Sequence, residues 1–407
     1  MDFRKSHGIQ AVAAALVIVV AVVVRVSLYD FQSGDYRAFF GQWYTFIKSN
    51  GGFAALRYQF ADYNVPYLYL IALLTYLPVP VLAGVKTISV LGDLLLAFYV
   101  YRLVALRYPR GWTAFAAAGV VALLPTVVMN SSMWGQCDSI YAAFAVGGLY
   151  CAVRSRPWLA CVFFGLALAF KLQVIFLLPV LAVLVLRRKV PWSALLAIPA
   201  VVLALDVPAL LVGANPADLL SVYTNQVGEY SQLTLNAANV YQLFSFDSSV
   251  RALGVFVTGV LVIGLIAYAV FGNVRLTVFH AVLLGAVFVV LVPYFLPSMH
   301  ERYFYLADVL SVVVAFYRPR RLWPVPVLVQ FASAFSYAPF LLQRGFGQET
   351  TPVSFWVLAL AMLAALVLLL WEFIGSAERR PATAAWPCPS RSAGPGEHLS
   401  TVERGAG

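Results

Sequence analysis

The sequence predicts an all-α polytopic membrane protein of about 12 transmembrane helices (roughly 11–13), with a juxtamembrane helix in the first outer loop. Three observations predict it. Hydrophobic residues make up 62% of the 407 and charged residues 11%, against roughly 25% charged in a soluble chain. A soluble fold of this size could not cover its surface with so few charges. The apolar residues also run on without interruption, as in 9–28 (IQAVAAALVIVVAVVVRVSL), 251–271 and 353–371. Each run is long enough to cross a ~30 Å hydrocarbon core, which takes about 20 residues as a helix. Finally, the ten-residue alternation of membrane β-barrels is missing.

Taken in order, the first span is 9–28, and its lack of a small-residue cleavage site marks a retained helix and not a signal peptide. The first outer loop, 29–83, follows. Within it, 36–50 places Phe39, Phe40, Trp43, Phe46 and Ile47 at helical spacing, as an amphipathic helix lying in the interface would. The stretch 66–80 (PYLYLIALLTYLPVP) is short and bounded by prolines, and is read as a juxtamembrane helix that does not cross. Further spans are expected at 84–106, 112–128, 139–153, 157–170, 172–186, 191–212, 251–271, 277–296, 303–316, 322–342 and 353–373. Two of these, 172–186 and 303–316, are short and begin at polar clusters, where irregular backbone is tolerated if it lines a cavity. The expected organisation is a transmembrane domain, 1–374, with outer-face loops 29–83, 129–138, 213–250 and 297–302, followed by a disordered cytoplasmic tail, 375–407. No internal repeat supports an inverted-repeat transporter.

Charge placement sets the orientation. With the N-terminus inside, cytoplasmic segments hold 18 of the 27 basic residues, among them Arg4, Lys5, Arg102, Arg107, Arg110, Arg154, Arg156, Arg187, Arg188, Lys189, Arg275, Arg318, Arg320 and Arg321. The net charge of +10 therefore reads as topology and not as a nucleic-acid surface. This gives a multi-pass protein of the cell membrane with both termini cytoplasmic. The four cysteines, at 137, 151, 161 and 388, have neither disulfide nor zinc spacing.

The acids fall on the other side: Asp30, Asp35, Asp62, Asp138, Asp218, Glu229, Asp247, Glu301 and Glu349 lie in or beside outer segments. Carboxylates contribute little to orientation, so their clustering suggests chemistry on the outer face. Asp35 (SGDYRAFFGQW) and Asp138 (NSSMWGQCD) each stand before a helix, where an acid also serves as a cap. Lys171 and Gln173 interrupt an apolar stretch, where an ammonium costs at least ~2.5 kcal/mol unless it has a role or snorkels. His300, Glu301 and Arg302 are adjacent ionisable groups between two hydrophobic helices, in PSMHERY. Asn236, Asn239, Tyr241 and Gln242 in the loop 213–250 could bind a sugar or satisfy backbone groups. His280 reads as a hydrogen-bonded core residue. Carboxylates beside fixed cations suit attack by a hydroxyl on a centre whose leaving group is a phosphate: Asp accepts the proton while Arg and Lys neutralise the phosphate oxygens.

Trp134-Gly135-Gln136-Cys137-Asp138, then Lys171-Leu172-Gln173 and Pro179, and later Met299-His300-Glu301-Arg302-Tyr303, resemble the bacterial relatives of the second GPI mannosyltransferase. These belong to the GT-C superfamily of polyprenyl-phosphate-sugar glycosyltransferases. The resemblance runs over roughly residues 9–373. It implies a GT-C-like fold with an outer-loop active site, a polyprenyl-phosphate hexose as donor (mannose foremost), and transfer with inversion to a hydroxyl of a lipid, glycan or protein. It further implies Asp35 as base, Asp138 as a second acid, and His300, Arg302 and Lys171 facing the donor phosphate, with Trp134, Gln136, Gln173, Asn239, Glu301 and Tyr303 around the substrates. The first loop has no adjacent acidic pair, so Asp62 stands as the alternative base. The sequence assigns no cofactor; a divalent cation is compatible with it but has no dedicated ligand cluster. A transporter or lipid-linked-sugar flippase is the rival reading, and it expects ionisable groups at both faces.

Overall fold

Helix length decides what can cross a bilayer unaided, and here the lengths divide the chain. The computed structural model describes residues 3–109, 111–228, 230–342 and 352–378. The side chains of Arg4 and Lys5, together with Arg110, Glu229, Glu349 and the expected tail beyond Glu378, lie outside the described residues. The architecture is nearly all helical, and helical elements stand at each expected span. Among the described residues, six helices are long and apolar enough to cross alone: Val81–Ala105, Trp192–Leu211, Ser248–Phe271, Val278–Phe295, Pro324–Leu341 and Phe355–Ser376. A seventh follows if Thr113–Leu123 and Pro125–Trp134, bent by 51° at their junction, count as one. The remaining apolar helices are shorter or broken. Val65–Leu74, at ten residues, rises roughly 15 Å, half the hydrocarbon thickness. The last helix continues to Glu378, past the expected domain edge at 374.

The centre of the bundle is Asp138–Val153, Val278–Phe295 and Tyr305–Tyr317, which are buried almost throughout. Small residues let the backbones close. A Cβ on Gly92 would stand 2.5 Å from Ser139 Oγ, so Val81–Ala105 meets Asp138–Val153 there without a side chain between them. At the periphery, Val12, Leu16, Ile18, Val19, Val22 and Val23 of the first helix are exposed, as are Val255, Phe256, Val260 and Ile263. Such continuous apolar flanks suit lipid.

Two features differ from the sequence reading. The segment 36–50 is helical, a π-turn Tyr36–Phe40 running into Gly41–Ser49, but only part of its aromatic face is free: Phe39 is exposed and Phe46 half-buried, while the rest packs against protein. Phe40, Trp43, Tyr44 and Ile47 are buried against Leu56, Tyr67, Leu68 and Ile71, with Tyr63 and Tyr67 edge-on to Phe40 and Tyr63 tilted against Trp43. Second, the bundle buries charge that the sequence reading did not single out. Arg25 pairs with Asp93 at 2.8 Å, both nearly inaccessible, and Ser131 Oγ also donates to Asp93. Lys86 donates to the carbonyls of Leu28, Tyr29 and Phe31 in the turn that follows the first helix. Asp308 is wholly buried in Tyr305–Tyr317.

The basic turns and the acidic clusters lie at opposite helix ends. Asp138 begins the helix Asp138–Val153 and Arg154 follows it; Arg156 precedes Pro157–Phe170 and Lys171 follows that. Arg302 precedes Tyr305–Tyr317, and Arg318 ends it and reaches Glu372. At the acidic end, Thr234–Leu235 pairs in parallel with Met299–His300, and Ser298 binds back to Tyr230 and Gln232, fixing the loop before Glu301.

Removing one partner of a buried pair leaves an uncompensated charge. Arg25→Met should therefore cost about 3–5 kcal/mol, read as a lowered midpoint of thermal unfolding in detergent. Arg25→Met combined with Asp93→Leu should recover most of that loss.

Candidate active site

Four chain segments converge at the acidic end. The first presents Asp35, just before the π-turn Tyr36–Phe40. The second is the bent π-helical stretch Met129–Trp134, closed by Gly135 at φ 80°. That left-handed turn suits glycine; there the Gln136 N–H bonds back to the Asn130 carbonyl, so Trp134 and Gln136 come to the same side. The third is Lys171, extended at φ −153°, ψ 139°, which breaks the helix Pro157–Phe170 from the 3-10 turn Leu172–Phe176. The fourth is the 3-10 turn Glu301–Phe304, held by the short strand pair.

Their side chains form one connected set. Asp35 Oδ2 accepts from Trp134 Nε1 at 2.9 Å and from Gln136 Nε2, and Arg302 stands 3.7 Å from the same oxygen. Asp138 accepts from Lys171 Nζ at 2.5 Å and from Asn130 Nδ2 at 2.7 Å, with Arg302 at 3.8 Å. Arg302 Nε donates to Glu301 at 3.0 Å, and its guanidinium lies 4.9 Å over the Trp134 ring. Gln136 Oε1 accepts from the Tyr63 hydroxyl at 2.9 Å, and Lys171 sits over the Tyr63 ring. His300 packs its ring against Tyr230 and Tyr303.

Burial alone would raise the Glu301 carboxyl; the nearby His300 ring, 3.6 Å away, and the Arg302 charge outweigh it and hold the group below its ordinary range. Asp62 goes the other way: although the residue is exposed, the partial loss of hydration against its walls raises it by more than its own backbone N–H and the Lys171 charge lower it.

These groups surround a cavity of about 250 Å³ lined by Asp35, Asp62, Trp134, Gln136, Lys171, Gln173, His300, Glu301, Arg302 and Tyr303. Nearly every site residue expected from the sequence is there. Two are not. Asp138 stands behind the lining, its side chain 4% exposed, where it holds Lys171 and Asn130. Asn239 is fully buried away from the lining. Trp134 and Gln136, expected among the substrate contacts, give their N–H groups to Asp35. Sequence reasoning missed Tyr63, which lines the cavity between Gln136 and Lys171, and Phe39, Trp43 and Gln226 on its rim. Tyr63 adjoins Asp62, and that neighbourhood was its one signal. Among the described residues, no group of three or more His, Cys, Asp or Glu is arranged for a metal ion.

The arrangement offers a held carboxylate, a guanidinium and an ammonium around one small space, which is what a reaction with an anionic leaving group uses. A comparison with protein families finds that the model of Glycosyltransferase family 87 matches residues 60–293. The matched stretch includes Asp62, Trp134 to Asp138 and Lys171, and leaves Asp35 and His300 to Tyr303 on either side. No curated protein matches the chain.

Proposed function

Given that the chain belongs to glycosyltransferase family 87, we propose that it transfers a hexose, mannose foremost, from a polyprenyl-phosphate donor to a hydroxyl acceptor, with inversion, on the outer face of the cell membrane. The observation that carries this reading is the convergence on Asp35. Trp134 and Gln136 both donate to Oδ2, and among the described residues none donates to Oδ1. A carboxylate held by one oxygen has the other oriented to take a proton, as a general base must.

Arg302 supplies the complementary half. Its Nε is engaged by Glu301, but its terminal nitrogens stand 3.7 and 3.8 Å from Asp35 and Asp138, beyond hydrogen-bond range. Those N–H groups retain donors for phosphate oxygens, which guanidinium grips in a fork. Lys171 and His300 add donors on the same cavity wall. In the reaction, Asp35 takes the acceptor hydroxyl proton as its oxygen bonds the anomeric carbon. The bond from that carbon to the phosphate oxygen breaks with its electron pair, and the developing phosphate charge falls on Arg302 and Lys171. Attack opposite the leaving group inverts the anomeric centre. Asp138 holds the Lys171 ammonium in place.

The twelve-span topology belongs to this proposal. Arginine turns at one end of the helices and the cavity at the other support an outward site with both termini inside. Polyprenyl chains would then reach the cavity from within the bilayer, past the short and broken helices. The ionisable groups that line this cavity lie at one end of the bundle, which weighs against a transport path, since that needs such lining at both faces.

Three measurements test the reading. With purified protein, a panel of polyprenyl-phosphate hexoses and a membrane-lipid acceptor extract, Asp35→Asn should lower turnover by about 10²–10⁴-fold with unfolding unchanged; near-normal turnover removes Asp35 as the base. Trp134→Phe keeps the ring against Tyr337 and Phe340 but loses one hydrogen bond to a charged group, so kcat should fall about 10- to 100-fold. For topology, Gln32→Cys and Asn225→Cys on a Cys388→Ser background should react with an impermeant maleimide on intact cells. Arg188→Cys and Arg320→Cys should react only after permeabilisation, and the reverse pattern would overturn the orientation.

A further inference from the structure

Beside the cavity that holds Asp35 lies a larger, open cleft of about 1030 Å³. It is walled by the helix Gly41–Ser49, the segment 59–62 and the end of the helix Pro216–Gly228. Phe39, Trp43, Asp62 and Gln226 line both spaces, so the two are continuous across a shared rim. The Gln226 side chain donates to the Asp62 carbonyl at 2.8 Å and ties the two walls together.

The chemistry changes sharply across that rim. The smaller cavity presents Lys171, His300 and Arg302. The cleft, among the described residues that line it, presents no Lys, Arg or His. It offers aromatic rings (Phe39, Trp43, Phe46 and Phe60, the last two stacked at 4.6 Å) and side-chain amides (Gln42, Gln59, Asn225 and Gln226) with the Asp62 carboxylate. Gln42, Gln59 and Asn225 are exposed and Phe46 half-buried.

A cleft without cations gives no purchase to an anionic headgroup, and one rich in amides is a poor bed for acyl chains. An extended peptide is held by a sheet edge or a continuous apolar groove; no strand borders these walls among the described residues, and side-chain amides interrupt their apolar surface. A neutral saccharide has the complementary surface. Its ring faces carry C–H groups that lie on aromatic rings, and its hydroxyls both donate and accept, matching amides and a carboxylate. A volume at the top of the roughly 300–1,000 Å³ range of ligand sites takes more than one sugar ring.

We propose that this cleft is the acceptor site and that the acceptor is the end of a neutral oligosaccharide. Its terminal hydroxyl crosses the rim at Asp62 to reach Asp35. This assignment rests on the glycosyl-transfer reading above, which left lipid, glycan and protein acceptors open.

Binding of neutral linear tetrasaccharides of mannose and of glucose to the full chain in nanodiscs tests it, with no donor present. The expected result is saturable binding of one of them, weakened at least tenfold by Phe46→Ala and by the surface pair Gln42→Ala/Asn225→Ala, with unchanged thermal unfolding in the surface pair. Binding of a polyprenyl-phosphate hexose should be the same in wild type and in the surface pair. Absence of tetrasaccharide binding, binding indifferent to the surface pair, or displacement by a Ser/Thr-rich peptide or by phosphatidylglycerol vesicles in preference would overturn the proposal. The two readings fail separately. Donor consumed without tetrasaccharide binding removes the acceptor assignment alone. Tetrasaccharide bound and lost in the cleft variants, with no donor ever consumed, removes the transferase reading and leaves the cleft a saccharide site.

Discussion

A guanidinium shared among three carboxylates organises the acidic end of this protein. Arg302 lies within 4 Å of Asp35, Asp138 and Glu301, residues from three separate stretches of chain. Where water is scarce, none of these charges is tolerable alone: an unpaired buried ion costs several kcal/mol even after relaxation. Each segment is therefore held by the charge requirement of the others. The broken helix at Lys171, the left-handed turn at Gly135 and the 3-10 turn at Glu301 deliver side chains to that shared point. The backbone irregularities and the ionic network are one design problem solved together, since a straight helix could not aim two consecutive polar residues into one space.

The same economy appears elsewhere in the bundle. Arg25 and Asp93 neutralise each other, and Lys86 ties down the turn that follows the first helix. Both contacts sit just before the loop that presents Asp35, and Ser33 in that loop bonds the Trp134 carbonyl at 2.7 Å. The first helix is thus anchored at the end from which the proposed base is reached, although its flank is otherwise open to lipid.

Much of this was legible in the sequence, for a definite reason. In a chain with 11% charged residues, a polar cluster between apolar runs is conspicuous, and Asp35, Gln136, Lys171 and Arg302 could be singled out one at a time. The helices were legible as well, at all twelve positions. Their number as spans was not, because apolar composition marks a helix without giving its tilt, and several are too short to cross alone. Partnership was equally hidden. Nothing local says that Trp134 and Gln136 hold Asp35, that Asp138 stands behind Lys171, or that Arg25 meets Asp93 across 68 residues. Asn239 shows the opposite error: an amide in a loop between apolar helices resembles a ligand contact, yet it is buried away from the cavity.

The strand pair between Thr234–Leu235 and Met299–His300 is only two residues long, and it pairs Leu235 with His300. Side chains alternate across a strand, so a slip of one residue would exchange the environments of its two members. The imidazole would leave the cavity wall and a thioether would replace it. Which kind of atom greets a ligand on that side is thus decided by the parity of a ladder with almost no length, pinned from outside by Ser298 at φ 62° and its bonds to Tyr230 and Gln232.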